Sequence, residues 1–137
     1  MGPDAINRYT MNMKPVFVED APKAIGPYAQ GIVAGGFLFT AGQVGLDPAT
    51  MKLVEGDVAV QTRRVFDNLE AVLRGAGATL SDVVRAGVFL VDMGDFAKMN
   101  EVFAARFGAH RPARSTVAVA ALPAGARVEI DLVVRVG

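Results

Sequence analysis

An α+β fold, a mixed sheet with two helices on one of its faces, is what this sequence predicts, on three observations. Two stretches, Val58 to Ala76 and Phe96 to Phe107, carry apolar residues three or four apart, the spacing of a helix that covers a core. Gly35-Gly36 stands between two β-prone runs, the signature of a tight hairpin. The last residues alternate apolar and charged, the period of a half-buried strand. The order is strand, hairpin, helix, strand, helix, strand, strand, which fits helices laid on one face of a sheet. At 137 residues there is room for one domain and not two.

Residues 1–13 read as an N-terminal tail and 14–137 as the single domain. Gly2-Pro3-Asp4 is a turn signal, and the apolar residues of the tail show no period. Met11 and Met13 are candidate alternative starts, and the head of the segment a candidate cloning remnant. Val16-Phe17-Val18 reads as a short strand. Two prolines and a glycine stiffen the loop from Ala21 to Tyr28, and stiff loops are where sites tend to be mounted. Tyr28 is therefore either a turn residue packing its ring or a phenol held at a pocket.

Ala29–Ala34 and Phe37–Ala41 form the hairpin. Gly42-Gln43-Val44-Gly45 leaves it as a loop with neither a P-loop lysine nor a dinucleotide fingerprint, and Asp47-Pro48 opens a turn. Asp57 caps the first helix, which Gly75 and Gly77 end. Val83 to Val91 is apolar on both faces apart from Arg85, so it needs cover twice. One cover is the first helix and the other a second subunit.

Asp95 caps the second helix, with Phe96, Met99, Phe103 and Phe107 as its apolar stripe. Asn100 lies on or beside that stripe, where an amide needs a partner in a loop or a ligand. Next comes His110-Arg111-Pro112-Ala113-Arg114-Ser115-Thr116-Val117, with a turn at Pro112–Arg114 and a strand from Thr116 to Leu122. Arg114 stands at the mouth of an apolar run, and its planar fork suits a carboxylate. In the last strand Val128, Ile130, Leu132, Val134 and Val136 share one face; Arg127, Glu129, Asp131 and Arg135 share the other.

Composition removes several function classes. Fourteen basic and fourteen acidic residues cancel, which leaves no overall electrostatic footprint for nucleic acid or a membrane surface. Arg106, Arg111 and Arg114 are the one candidate basic patch. Cysteine is absent, so disulfides, thiolate catalysis and cysteine metal sites are out. The single histidine, His110, has no second ligand spaced for a metal. No apolar run spans a bilayer and no signal peptide is visible, so a cytoplasmic protein is expected. A content of 52% hydrophobic residues hints at apolar surface covered by further copies of the chain.

Ile25-Gly26-Pro27-Tyr28-Ala29-Gln30, Ala41-Gly42-Gln43, Gln61 through Asn68, Pro112-Ala113-Arg114-Ser115 and Val128-Glu129-Ile130 occur in this order and at these spacings. Together they resemble the RidA (YjgF/YER057c/UK114) family of imine and enamine deaminases, over about residues 14–136. The resemblance implies a chorismate-mutase-like fold assembled as a homotrimer, with ligand sites in clefts between subunits. It implies hydrolysis of small 2-imino and enamine acids, such as 2-aminoacrylate and 2-iminopropanoate, to 2-keto acids and ammonia. No cofactor and no metal is expected, because an imine is already electrophilic.

By the same resemblance Arg114 grips the substrate carboxylate, Glu129 activates or orients water, and Tyr28 lines the pocket. Asn100, Ala41, Gly42 and Thr116 join Arg114 as substrate-binding positions. Two residues depart from the common pattern. Ala41 stands where a serine is frequent, which removes a hydroxyl, and Thr116 stands where a cysteine is frequent. A rival reading keeps the fold and the pocket but not the turnover: a non-catalytic module that binds or senses small carboxylates such as keto acids.

Overall fold

The computed structural model describes residues 12–137. The expected tail falls almost wholly outside that range. Among these residues eight strands and two α-helices follow in order: β1 (Met13–Val16), β2 (Gly31–Ala34), β3 (Phe37–Thr40), β4 (Leu46–Asp47), β5 (Lys52–Leu53), α1 (Val58–Gly75), β6 (Val83–Leu90), α2 (Phe96–Phe107), β7 (Ala113–Ala118) and β8 (Val128–Arg135). Six strands make one sheet in the order β1-β2-β3-β8-β6-β7, and β4-β5 is a separate ribbon. Only β6 and β7 run parallel in the large sheet; its other pairs are antiparallel. The expected mixed sheet is observed.

Both helices lie on one face, and the core sits between them and the sheet. From the sheet come Leu38, Ala86, Val88, Leu90, Val128, Ile130, Leu132 and Val134; from the helices Phe66, Leu69, Leu73, Met99, Phe103 and Phe107, all buried. Phe66 meets Phe103 and Phe107 edge-on at 5.7 and 5.6 Å, tying α1 to α2. Each such buried side chain contributes on the order of 1.5–3 kcal/mol. Asp57 caps α1 by accepting from the amide of Val60 at 3.2 Å, as expected. None of the helices among the described residues is long and apolar enough to cross a membrane.

Four sequence expectations need correction. The first strand lies at Met13–Val16, ahead of the expected 16–18, because its register is set by β2, with Met13 opposite Ala34 and Val16 opposite Gly31. Ala113 and Arg114 of the expected turn begin β7, which ends at Ala118 and not at Leu122; Ala118 lies opposite Leu90, the last residue of β6, whose carbonyl accepts from Val119 at 2.8 Å. Asp95 precedes α2 but gives it no side-chain cap, because its carboxylate is engaged by Arg127 at 2.8–2.9 Å. No basic patch forms: Arg106 is bound by Asp67 and Glu70, and Arg111 donates to the carbonyls of Gly108 and His110.

Among the described residues, no helix covers the second face of the large sheet. Phe37, Phe39 and Val117 are exposed there, with Phe89 and Val133 half-buried beside them. β6 matches the reading of a strand that needs cover twice. Its Ala86, Val88 and Leu90 face the helices, and Gly87 and Phe89 face outward.

Candidate active site in two halves

Arg114 and Thr116 lie in register with Ala86 and Val88 of β6, so they point to the helix face. There the Arg114 guanidinium rests against Phe103, 4.7 Å from its ring centroid, and Phe96, at 5.5 Å. Its Nη1 donates to Asn100 Oδ1 at 2.7 Å. Among the described residues no carboxylate pairs with it. Thr116, two residues on and on the same face, has a buried hydroxyl with no hydrogen-bond partner. Among the described residues this is a half-buried cation without an acid beside a hydroxyl without a partner, and both have donor capacity left over.

Glu129 lies on β8 between buried Val128 and Ile130, in register with Phe89, and so points to the opposite face. It lines a cavity of about 590 Å³ with Tyr28, Ala41, Gly42, Lys23, Ile25 and Pro123. The segment after β3 is stitched along β8 by two backbone bonds, Gln43 to Ile130 at 2.9 Å and Ile130 to Gln43 at 3.1 Å. This brings Gly42 against Glu129. A Cβ at position 42 would lie 2.6 Å from Glu129 Oε2 and 2.7 Å from its Cδ, so only glycine lets the carboxylate sit where it does. Burial raises the Glu129 pKa above the usual carboxylate range, and the negative charge of Asp131, two residues along the same face, adds to the effect.

Tyr28 is half-exposed at the cavity, and its phenol oxygen accepts from the amide of Ile25 at 3.3 Å, closing the Gly26-Pro27 turn on itself. The loop is pinned from beneath by Gln30, which is fully buried. Its side-chain oxygen accepts from Val18 N at 2.5 Å, and its amide nitrogen donates to the carbonyls of Val18, Ala21 and Pro22. Asn68 does the same for the 44–46 loop through the carbonyls of Val44 and Leu46, and Gln61 accepts from the amide of Arg127. Sequence reasoning missed these three amides as architects of the cavity. A polar residue inside an apolar helix stripe, as at Gln61 and Asn68, was the available signal.

The candidate residues thus form two groups. Arg114, Asn100 and Thr116 face the helices; Tyr28, Ala41, Gly42 and Glu129 share the cavity beyond β3. Two strand spacings and three residues of register separate Glu129 from Arg114, roughly 14 Å of sheet, and they are on opposite faces. One protomer does not bring them together. His110 belongs to neither group: its Nε2 lies 2.7 Å from the carbonyl of Val83, a structural contact between the α2–β7 connection and β6. No cluster of three or more potential metal ligands occurs among the described residues.

Residues 18–136 match the sequence profile of the family described as Endoribonuclease L-PSP. The chain is 52% identical over 118 residues to a RutC family protein of Pyrococcus horikoshii, covering 86% of this chain and 94% of that one. It is 40% identical over 129 residues to the chloroplastic Reactive Intermediate Deaminase A of Arabidopsis thaliana, covering 94% of this chain and 69% of the relative. Among solved structures it resembles RidA from the Antarctic bacterium Psychrobacter, with TM-score 0.86 and 42% identity over 90% of this chain and 99% of that one.

Proposed function

The chain belongs to the RidA (YjgF/YER057c/UK114) family, and on that premise we propose that it deaminates small 2-imino and enamine acids by hydrolysis. The products are 2-keto acids and ammonia; 2-iminopropanoate, formed from 2-aminoacrylate, is the simplest substrate. The single observation that carries this reading is Arg114, a half-buried cation held by an amide and two rings and left without an acid among the described residues. Arginine in such surroundings is arranged for an anion from outside, and a carboxylate fits its fork in two places.

The reaction assigns a part to each half. The substrate carboxylate binds Arg114, with the Thr116 hydroxyl donating to it. Water adds to the carbon of the protonated imine as Glu129 takes one of the water's protons, which gives a neutral carbinolamine. Glu129 then returns that proton to the amine, the C–N bond breaks as the C=O bond forms, and the hydroxyl proton passes to Glu129 and from there to the released ammonia, which departs as ammonium. A carboxylate whose pKa is raised by burial is a better base toward water and a better acid toward the leaving amine. Holding the imine carbon against a fixed water supplies much of the rate. Tyr28 and Ala41 shape the wall on the Glu129 side.

Because Arg114 and Glu129 face opposite sides of one sheet, the working site takes Arg114 from one subunit and Glu129 from the next. The exposed apolar face of Phe37, Phe39 and Val117 supports such an assembly, which we propose is a homotrimer working in the cytoplasm. The test is a coupled assay in which a dehydratase generates 2-aminoacrylate from serine and 2-keto acid release is timed. The protein is expected to accelerate release and Arg114→Ala to abolish the acceleration with the assembly intact. No acceleration by wild-type protein that still binds keto acids would instead establish a carboxylate-binding module.

A further inference from the structure

Two arginines of this protein are laid on aromatic rings of the same core, and they are answered differently. Arg106 lies 5.4 Å from the Phe66 centroid and is bound by Asp67, at 2.9 Å, and by Glu70. Its charge is spent inside the protomer. Arg114 lies 4.7 Å from the Phe103 centroid, and the only side chain it bonds among the described residues is Asn100. Asparagine and aspartate have nearly the same shape, but the amide oxygen orients a guanidinium without neutralising it. The two rings, 4.7 and 5.5 Å from Cζ, hold the group without accepting its charge, and the amide takes one donor at Nη1. The remaining edge is left aimed and fully charged.

We infer that Asn100 and Phe96 are positioning residues that hold the Arg114 fork in one orientation while leaving its charge for a carboxylate, and that Asn100 does this in place of contacting the substrate. This rests on the reading of Arg114 as the carboxylate anchor. It follows that aspartate at position 100 closes an internal ion pair and shuts the anchor without damage to the fold. Phe96 is the outer ring of the two, only partly buried, whereas Phe103 is shared with the core. Loss of the Phe96 ring frees the fork to swing but removes no hydrogen bond.

The experiment is calorimetric titration of the intact assembly with 2-oxobutanoate, with thermal denaturation of each variant and KM and kcat from the coupled assay. Asn100→Asp is expected to weaken 2-oxobutanoate about a hundredfold, as expected when a buried partner charge is cancelled. Its Tm should equal or exceed that of the wild type, because an ion pair replaces a neutral hydrogen bond. A merely structural asparagine would lose Tm and affinity together. Asn100→Ala is expected to cost about tenfold in affinity, and Phe96→Leu about threefold, each raising KM and leaving kcat within about twofold, as for residues that act through binding alone. Arg114→Ala separates the two readings. If it abolishes binding while Asn100→Asp binds like the wild type, the positioning role is overturned and the anchor stands. If Arg114→Ala itself still binds 2-oxobutanoate, the anchor and the inference fall together.

Discussion

Replacing Gly42 by alanine separates the chemistry of the Glu129 half-site from the stability of the fold. The new methyl carbon would stand 2.6 Å from Glu129 Oε2, 2.7 Å from Cδ and 3.0 Å from Cγ. Ordinary carbon contacts need about 3.5 Å, so the carboxylate must retreat by roughly 1 Å. Gly42 does not have a positive φ, so alanine brings no backbone strain, and the atoms in the way belong to the free end of a side chain. The cost to the fold is then at the low end for overpacking, about 1 kcal/mol, or about 4 °C in Tm. The cost to the reaction is far larger, since a misplacement of about 1 Å in a reacting group lowers the rate about a hundredfold. Keto-acid affinity should hold within about threefold, because the carboxylate is gripped by Arg114 of the neighbouring subunit, whose hydrogen bond to Asn100 and ring contacts the change does not touch. The assays are kcat from coupled imine hydrolysis, calorimetric 2-oxobutanoate affinity and thermal denaturation. A folded Gly42→Ala protein with wild-type kcat would refute the reasoning, because Glu129 would then act equally well from a displaced position or not at all.

Two further substitutions probe the site from either side. Thr116→Val removes a buried hydroxyl that bonds nothing in the protomer; it should raise stability by about 1 kcal/mol, since no bond is lost and a desolvated polar atom goes, yet weaken 2-oxobutanoate several-fold, and thermal denaturation beside calorimetry checks both signs. Glu129→Gln should lower kcat more than it weakens binding. It should also stabilise the protein at neutral pH: a carboxyl whose folded pKa lies above its ordinary value of 4.5 keeps its proton more readily when folded, so stability is lost as pH rises from that value through the raised one. The Tm advantage of glutamine should therefore vanish below pH 4.5, and an advantage that persisted there would assign it to packing instead.

What was legible in the sequence was whatever depends on near neighbours in the chain. The Gly35-Gly36 hairpin, the Asp57 cap and the alternation of Val128 to Val134 are local patterns, and each stands where it was read. What was misread depends on pairing across the chain. Pro112 and Arg114 look like a turn by composition, but β6 offers Arg85 and Ala86 an edge to extend, and the backbone takes it. Asp95 has the composition of a cap, yet Arg127, thirty-two residues on, offers its carboxylate two donors in place of a helix amide. The β4-β5 ribbon is two residues wide and leaves no period to detect.

The division of the site between two faces is the least legible feature, and its cause is a single choice of strand direction. β7 returns parallel to β6 through α2, the crossover that such a pair requires. That return places Arg114 in register with Ala86, under the helix that left β6, where Phe96, Asn100 and Phe103 wait for it. Glu129 sits in an antiparallel partner of β6 and takes the parity of Phe89. A shift of one residue in either register would carry its side chain to the other face, yet both registers are held by buried residues, Val88 and Leu90 among them, that cannot be turned outward. The core thus forces Arg114 and Glu129, the proposed anchor and base, apart within each chain. A carboxylate at Arg114 meets Glu129 only where another copy's sheet face comes against β7, so Arg114→Ala chains mixed with Glu129→Gln chains should recover activity at clefts that pair an intact Arg114 with an intact Glu129. Each variant alone should stay inactive, and a mixture without recovery, measured by the coupled assay after subunit exchange, would require both groups to act from the same subunit.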